Sequence, residues 1–264
     1  MNYSTKIKWS FISAIIASVL WVIGDILIVG FDTNPADYPL LSETYAEQLD
    51  TSLAVLMVEG SSQRLMFGAL IASMSAFLFL PGIWLAYQFF KQKTKPHAWL
   101  THFILMISVV LMPLGHAVFY FNGEVFKAIL HTDPIAHPYL IKIAADFTKV
   151  LYMTWGTAIM VLLIGWLLYS IMVFLGKTTL PRWVGFISPV FLTLYQVPIK
   201  LMLPDSVLKA WISAAGFNIS YLIFFVLLFI LFKKSLLEEK KEERQSNVIL
   251  FRKNTHVGLA STLN

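Results

Sequence analysis

The sequence predicts an all-α fold, a polytopic transmembrane bundle of about six membrane-spanning helices, and three observations predict it. Charged residues are 13% of the chain, about half the share of a typical soluble domain. Hydrophobic residues are 58% and the mean hydropathy is +0.71. The apolar residues gather into long runs rather than scattering. A helix crossing the hydrocarbon core needs about 20 of them in a row, because lipid offers the backbone no hydrogen-bond partner. The period-two alternation of a membrane barrel is absent.

The first run is Trp9 to Phe31. Lys6 and Lys8 precede it as in a signal peptide, but it outlasts a signal core and no Ala-x-Ala site follows, so it reads as a retained helix. Residues 32–63 hold Asp32, Asp37, Glu43, Glu47, Asp50 and Glu59, with no Lys or Arg. Pro35 and Pro39 open that segment as a loop. Tyr45, Leu49, Leu53, Leu56 and Met57 then recur at helical spacing, predicting an amphipathic segment over about 40–60 that lies on the membrane surface. The second run is Leu65 to Phe90, closed by Lys91, Lys93 and Lys95, and the third is Ala98 to Phe121. Residues 122–143 read as a mixed loop with Pro134 and Pro138. The fourth run covers about Val150 to Leu175, with an outer extension from Tyr139 as an alternative start. The fifth is Trp183 to Leu203, between Pro181-Arg182 and Pro204-Asp205, and the sixth is Leu208 to Phe232. Residues 1–234 thus form the bundle. Residues 235–264 form a cytoplasmic Glu/Lys-rich helical extension, followed by a tail that reads as disordered from Gln245.

With six crossings, the N-terminal lysines, the Lys91–Lys95 loop, the Lys177–Arg182 loop and the Lys-rich tail share one side. The acidic segment takes the other. Cytoplasmic loops carry the Lys/Arg excess, so both termini are expected inside. The net charge of +5 therefore reads as orientation rather than nucleic-acid binding. Cysteine is absent, which excludes thiol catalysis and iron–sulfur ligation by this chain.

The ionisable residues inside the runs lie toward the acidic side. Asp25 is near the outer end of the first run, and Arg64 opens the second. His116 lies about one and a half turns below the outer end of the third, at 3.6 residues per turn. Asp146 and Lys149 open the fourth. Gln196 and Lys200 are one turn apart in the fifth, and Asn218 is deeper in the sixth. His97 and His102 are the exceptions at the inner end. A charge in lipid costs about 2.5–3.5 kcal/mol on insertion scales, so such groups face the bundle interior and pair. Asp25, Arg64, His116, Lys149, Gln196, Lys200 and Asn218 are the expected ligand-binding set. His116 is the candidate proton-transfer residue, since imidazole titrates near neutrality, and Asp25 is its candidate partner. The structural alternative stands beside this. Arg64, Lys149 and Lys200 are placed to snorkel to headgroups, Asp25 and Arg64 to form an ion pair, and Asn218 to bind helices together. Trp21, Tyr152, Trp155 and Tyr195 are candidate pocket walls.

Gly68, Ala72, Ser75 and Gly82 form a small-residue face that permits close helix approach. Pro113 and Pro198 sit beside polar residues and predict kinks. His131, Asp133 and His137 lack a fourth ligand, so no metal and no cofactor is expected. Walker, His-Glu-x-x-His and Gly-x-Ser-x-Gly patterns are absent.

Gly24-Asp25, Arg64-Leu65, Gly115-His116-Ala117, Leu180-Pro181-Arg182-Trp183 with Pro189, and Gly216-Phe217-Asn218 with Phe224-Phe225 occur in this order. The chain thereby resembles a family of bacterial multi-helix integral membrane proteins that is a domain of unknown function. The resemblance covers nearly the whole transmembrane region and implies a bacterial inner-membrane protein, with no activity to carry over. It puts Asp25, Arg64, His116 and Asn218 on motif positions. The expected partners are the bilayer and a small amphiphile entering from the outer leaflet. Arg64 or Lys200 would serve as an anion or headgroup contact. A small-solute transporter and a structural or assembly partner in a membrane complex are the alternatives.

Overall fold

The computed structural model describes residues 3–91 and 94–260. Every extended element among them is helical. The helices are α1 (Tyr3–Val29), α2 (Thr51–Val58), α3 (Ser62–Ser75), α4 (Leu80–Gln88), α5 (Lys95–His131), α6 (His137–Leu151), α7 (Thr157–Phe174), α8 (Pro189–Met202) and α9 (Val207–Ala260). Five stretches are long and apolar enough to span a membrane: Tyr3–Val29, Ser62–Gln88, Pro96–His131, Pro134–Phe174 and Val207–Ser235. The chain is a multi-pass membrane protein.

The fifth predicted run forms a broken element. A 3-10 turn, Arg182–Ile187, meets α8 at Ser188. The fourteen residues of α8 rise about 21 Å, short of the ~30 Å hydrocarbon core. Together the two pieces run antiparallel to residues 216–232 of α9. Trp183 meets Phe232 at one end, Thr193 Oγ1 donates to Ser220 Oγ at 3.0 Å in the middle, and Gln196 Nε2 donates to Gly216 O at 2.8 Å further on. By length and composition this broken element is not among the five stretches that qualify to span a membrane.

α1 packs chiefly against α9 and α3, and α5 against α7 and α3. The small-residue face explains the α1–α3 contact: a Cβ on Gly68 would fall 2.8 Å from Gly24 O. Gly82 lies against Ala14 and Phe225. Two apolar clusters fill the bundle. The larger runs from Ile7 and Phe11 to Trp21, Met112, Trp166 and Phe224. The smaller holds Ile28, Leu41, Met57, Leu65, Phe119 and Phe126. At the basic end, Phe90 pairs with Thr178 and Lys91 Nζ donates to Gly176 O at 3.0 Å, holding the ends of α4 and α7 together.

The acidic end departs from the sequence reading in two ways. Residues 122–131, read as loop, continue α5. Val125, Phe126, Ile129 and Leu130 supply a helical apolar stripe there, and Lys127 pairs with Glu124 at 3.6 Å. α6 then returns as the outer extension of the fourth pass. Second, the segment about 40–60 is a cap on the bundle instead of a helix on lipid. Leu41, Ala54, Val55 and Met57 are buried, and Met57 lies against Gly123 of α5. Asp50 caps α2 by accepting from Leu53 N at 3.0 Å and accepts a hydrogen bond from Tyr152. Tyr38 donates to Glu59 at 2.5 Å, and Tyr45 Oη lies 2.8 Å from His137 Nδ1.

At the other end, α9 carries helical backbone through the Glu/Lys-rich stretch and on to Ala260, past the point where the sequence reads as disordered. Residues 207–257 contain one glycine and no proline to stop it. Residues 261–264 lie outside the described residues.

Candidate functional site

Three predicted residues from three helices meet inside the bundle. His116 Nε2 of α5 lies 3.0 Å from Asp25 Oδ1 of α1. Asn218 Nδ2 of α9 donates to Asp25 Oδ2 at 2.7 Å. Each oxygen of the carboxylate therefore has its own partner. The triad occupies the seam between the two apolar clusters. On α1, Asp25 follows Trp21 of the larger by four residues and precedes Ile28 of the smaller by three. On α5, His116 stands between Met112 and Phe119 in the same way. His116 and Asn218 are buried, and the Asp25 side chain keeps 14% exposure.

The surroundings fix the imidazole. Trp21 packs edge-on with ring centroids 4.3 Å apart, and Phe119 closes the other side at 5.9 Å. Nδ1 lies 3.4 Å from Met112 O, one turn back on α5. A carbonyl oxygen only accepts, so this contact is satisfied when Nδ1 carries a proton. Nε2 then either donates to an ionised Asp25 or accepts from a protonated one. In both arrangements one hydrogen bond ties α5 to α1.

A cavity of about 70 Å³ opens beside the triad. Trp155, Ile159, Ala214 and Phe217 form its apolar walls. Two backbone irregularities shape it. Tyr152–Gly156 is a π-helical turn between α6 and α7, an arrangement frequent at functional sites. It carries Trp155 tight against Gly115, where a Cβ would fall 2.7 Å from Trp155 Cβ and 2.8 Å from its Cα. α9 is kinked at Ala215, which has φ −101° and ψ 15°. Asn218, three residues on, is 2% exposed, and its Oδ1 has no hydrogen-bond partner.

The other predicted residues lie elsewhere. Arg64 donates from Nη2 to Ile26 O at 2.9 Å and stacks its guanidinium 3.7 Å over Phe31, closing the end of α1. It forms no ion pair with Asp25. Gln196 and Lys200 face a different side of α9, at Gly216. Gln196 Nε2 donates to Gly216 O and Ser220 Oγ, both at 2.8 Å, and its Oε1 is buried without a partner. Lys149 is exposed on α6. Of the candidate walls, Trp155 lines the cavity, Trp21 holds His116, Tyr152 serves the cap, and Tyr195 is exposed. The ring nitrogens of His131 and His137 meet the Lys127 and Thr132 carbonyls, and Asp133 caps the Pro134–Ala136 turn. Among the described residues no group of three His, Cys, Asp or Glu is placed to hold a metal.

The sequence reading missed Ser220 as the partner of Gln196, and Ala214 and Phe217 as walls. Ser220 carries a signal, since it lies four residues after Gly216 on the same face. The π turn carries none: Tyr152–Gly156 has no breaker before Gly156.

Residues 1–235 match the family of unknown function DUF6796. The chain belongs to this family. Asp25, His116 and Asn218 all fall within the span that DUF6796 covers. No curated protein and no solved structure matches the chain.

Proposed function

We propose that this DUF6796 protein is a multi-pass protein of the bacterial inner membrane with both termini in the cytoplasm. Its Asp25–His116–Asn218 site binds the polar end of a small amphiphile that enters from the outer leaflet. The lysines gathered at the end where α4 and α7 meet support that orientation.

The observation that carries the binding reading is the unpartnered Asn218 Oδ1 on a cavity that the hydrogen-bonded Asp25 and His116 also line. Leaving a buried acceptor unmet costs about 1–3 kcal/mol, so the site favours a donor, a hydroxyl or amine. The cavity exceeds the ~10–15 Å³ that one water requires and falls far below the ~300 Å³ where drug-sized pockets begin. It suits a headgroup of a few heavy atoms, with the apolar walls facing the chain that follows. With Arg64 and Lys200 turned away from the cavity, a donor headgroup fits better than an anion. In acid–base use, His116 exchanges the proton, Asp25 balances its charge, and Asn218 holds the second carboxylate oxygen.

Mass spectrometry of lipid extracts from the purified protein tests this. A co-purifying amphiphile, retained in Lys149→Ala and lost in His116→Ala and Asn218→Ala, is the expected result. Loss of thermal stability in those variants with an unchanged extract would make the triad a staple between helices and overturn the reading.

A further inference from the structure

A second, larger groove lies apart from the triad. It lies at the basic end between α1 and the α3–α4 break, holds about 650 Å³, and is lined by Lys6, Trp9, Ser13, Ile16, Pro81 and Trp84 among others. We infer that this groove holds one acyl chain of an anionic phospholipid of the cytoplasmic leaflet, with the phosphate on Lys6.

The groove exists because the second pass is broken. Ala76–Phe79 is a 3-10 turn and Pro81 follows at the start of α4. The break shifts α4 relative to α3 and turns the Leu78 carbonyl toward α1. There it accepts from Ser13 Oγ at 2.8 Å, which pins the two walls together at mid-groove. Ser10 Oγ donates to Lys6 O at 2.9 Å. Both hydroxyl protons are thus engaged with backbone, and the groove floor presents hydrocarbon.

Length, aromatic placement and charge argue for a lipid. From Lys6 to Ile16 the helix advances about 15 Å at 1.5 Å per residue, half the ~30 Å hydrocarbon core. The groove therefore spans one leaflet and stops near the midplane. Trp9 and Trp84 flank its basic end, where aromatic rings sit at headgroup level. Trp9 and Ile16 are 55% and 47% exposed, so the groove is open along its side. The charge is one-sided: residues 1–24 and 76–91 hold three lysines and no Asp or Glu. A zwitterionic headgroup places a cation against that field. An anionic one does not, and basic residues at this depth attract anionic lipid.

The full chain, delipidated in detergent, is presented with equimolar phosphatidylglycerol and phosphatidylcholine of the same chain length, and bound lipid is read by native mass spectrometry. We expect phosphatidylglycerol to be retained about fivefold over phosphatidylcholine. Lys6→Gln abolishes that preference, and Ile12→Trp, which fills the groove, abolishes retention itself. Ile23→Trp, on the lipid-facing side of α1 beyond the groove, retains the lipid. A phosphatidylglycerol carrying a mid-chain photoreactive diazirine, applied to the unmutated protein, reports independently of any effect on folding. Crosslinks on residues 9–16 and 78–84 support the proposal. Equal retention of the two lipids, a preference that survives Lys6→Gln, or crosslinks confined to other helices overturns it.

Discussion

His116 Nε2 lies 3.0 Å from Asp25 Oδ1, across 91 positions of chain and between two helices. The same carboxylate also receives Asn218 from a third helix, so one side chain fixes the mutual placement of α1, α5 and α9.

Removing that side chain therefore costs twice. Asp25→Ala leaves a buried imidazole and a buried amide without their acceptor. Breaking a buried pair in this way costs about 3–5 kcal/mol. Thermal unfolding in detergent reads the loss. A double-mutant cycle of Asp25→Asn with Asn218→Ala should show coupling of about 0.5–3 kcal/mol, while Asp25→Asn with Lys149→Gln should be additive. Additivity in the first cycle would remove the triad as a unit.

Gly115→Ala tests the π turn. The new methyl would meet Trp155 at its Cβ and backbone, which have no flexible end to yield. Overpacking of this kind costs about 1–3 kcal/mol. The cavity wall moves with Trp155, so loss of the co-purifying amphiphile should exceed that in Gly156→Ala, a position with open space around it.

The cap over the acidic end should loosen at both pH extremes. The hydrogen bond to Glu59, with burial and the nearby carboxylates, pushes the Tyr38 phenol up to about 12 from its ordinary 10.0. The folded state then keeps a proton that the unfolded chain releases. Its contribution is full below pH 10.0 and is lost as pH climbs toward 12. At Asp50, burial pushes the carboxyl up, but hydrogen bonds from Tyr152, Leu53 and Ser52 outweigh it and hold the group below its ordinary 3.8. That contribution is present above 3.8 and lost as pH falls below it. Hydrogen exchange across residues 38–59 should show both losses. Tyr38→Phe should lessen the alkaline loss and leave the acidic one unchanged.

Orientation is open to direct labelling, because the chain has no native cysteine. A membrane-impermeant maleimide on intact cells should label Glu47→Cys and Lys149→Cys and leave Lys177→Cys silent. His116→Cys should react far more slowly than Lys149→Cys, since the native side chain is 5% exposed. The reverse pattern at the loop positions would invert the topology.

Much of this was legible in the sequence because lipid leaves few solutions. Long apolar runs must be helices, and ionisable residues within them must find partners. That logic singled out Asp25, His116 and Asn218 and the close approach at Gly68. It did not separate them from Arg64, Lys149, Gln196 and Lys200, because depth along a helix is readable without the direction a side chain faces. Arg64 illustrates the difference. It lies at the right depth to meet Asp25, yet turns to the end of α1 and the Phe31 ring. The cap escaped for another reason. Its amphipathic pattern is equally suited to lipid and to protein, and Phe126 and Ile129, the partners that decide it, lie some 70 residues away in a stretch read as loop.

The Asp25–His116–Asn218 contact also has a consequence for assembly. It joins positions 91 and 193 residues apart. A chain is made from its N-terminus, so α1 waits for α5 before its carboxylate meets the imidazole, and the second oxygen waits for α9. The contact closes last and marks a bundle whose helices have all docked.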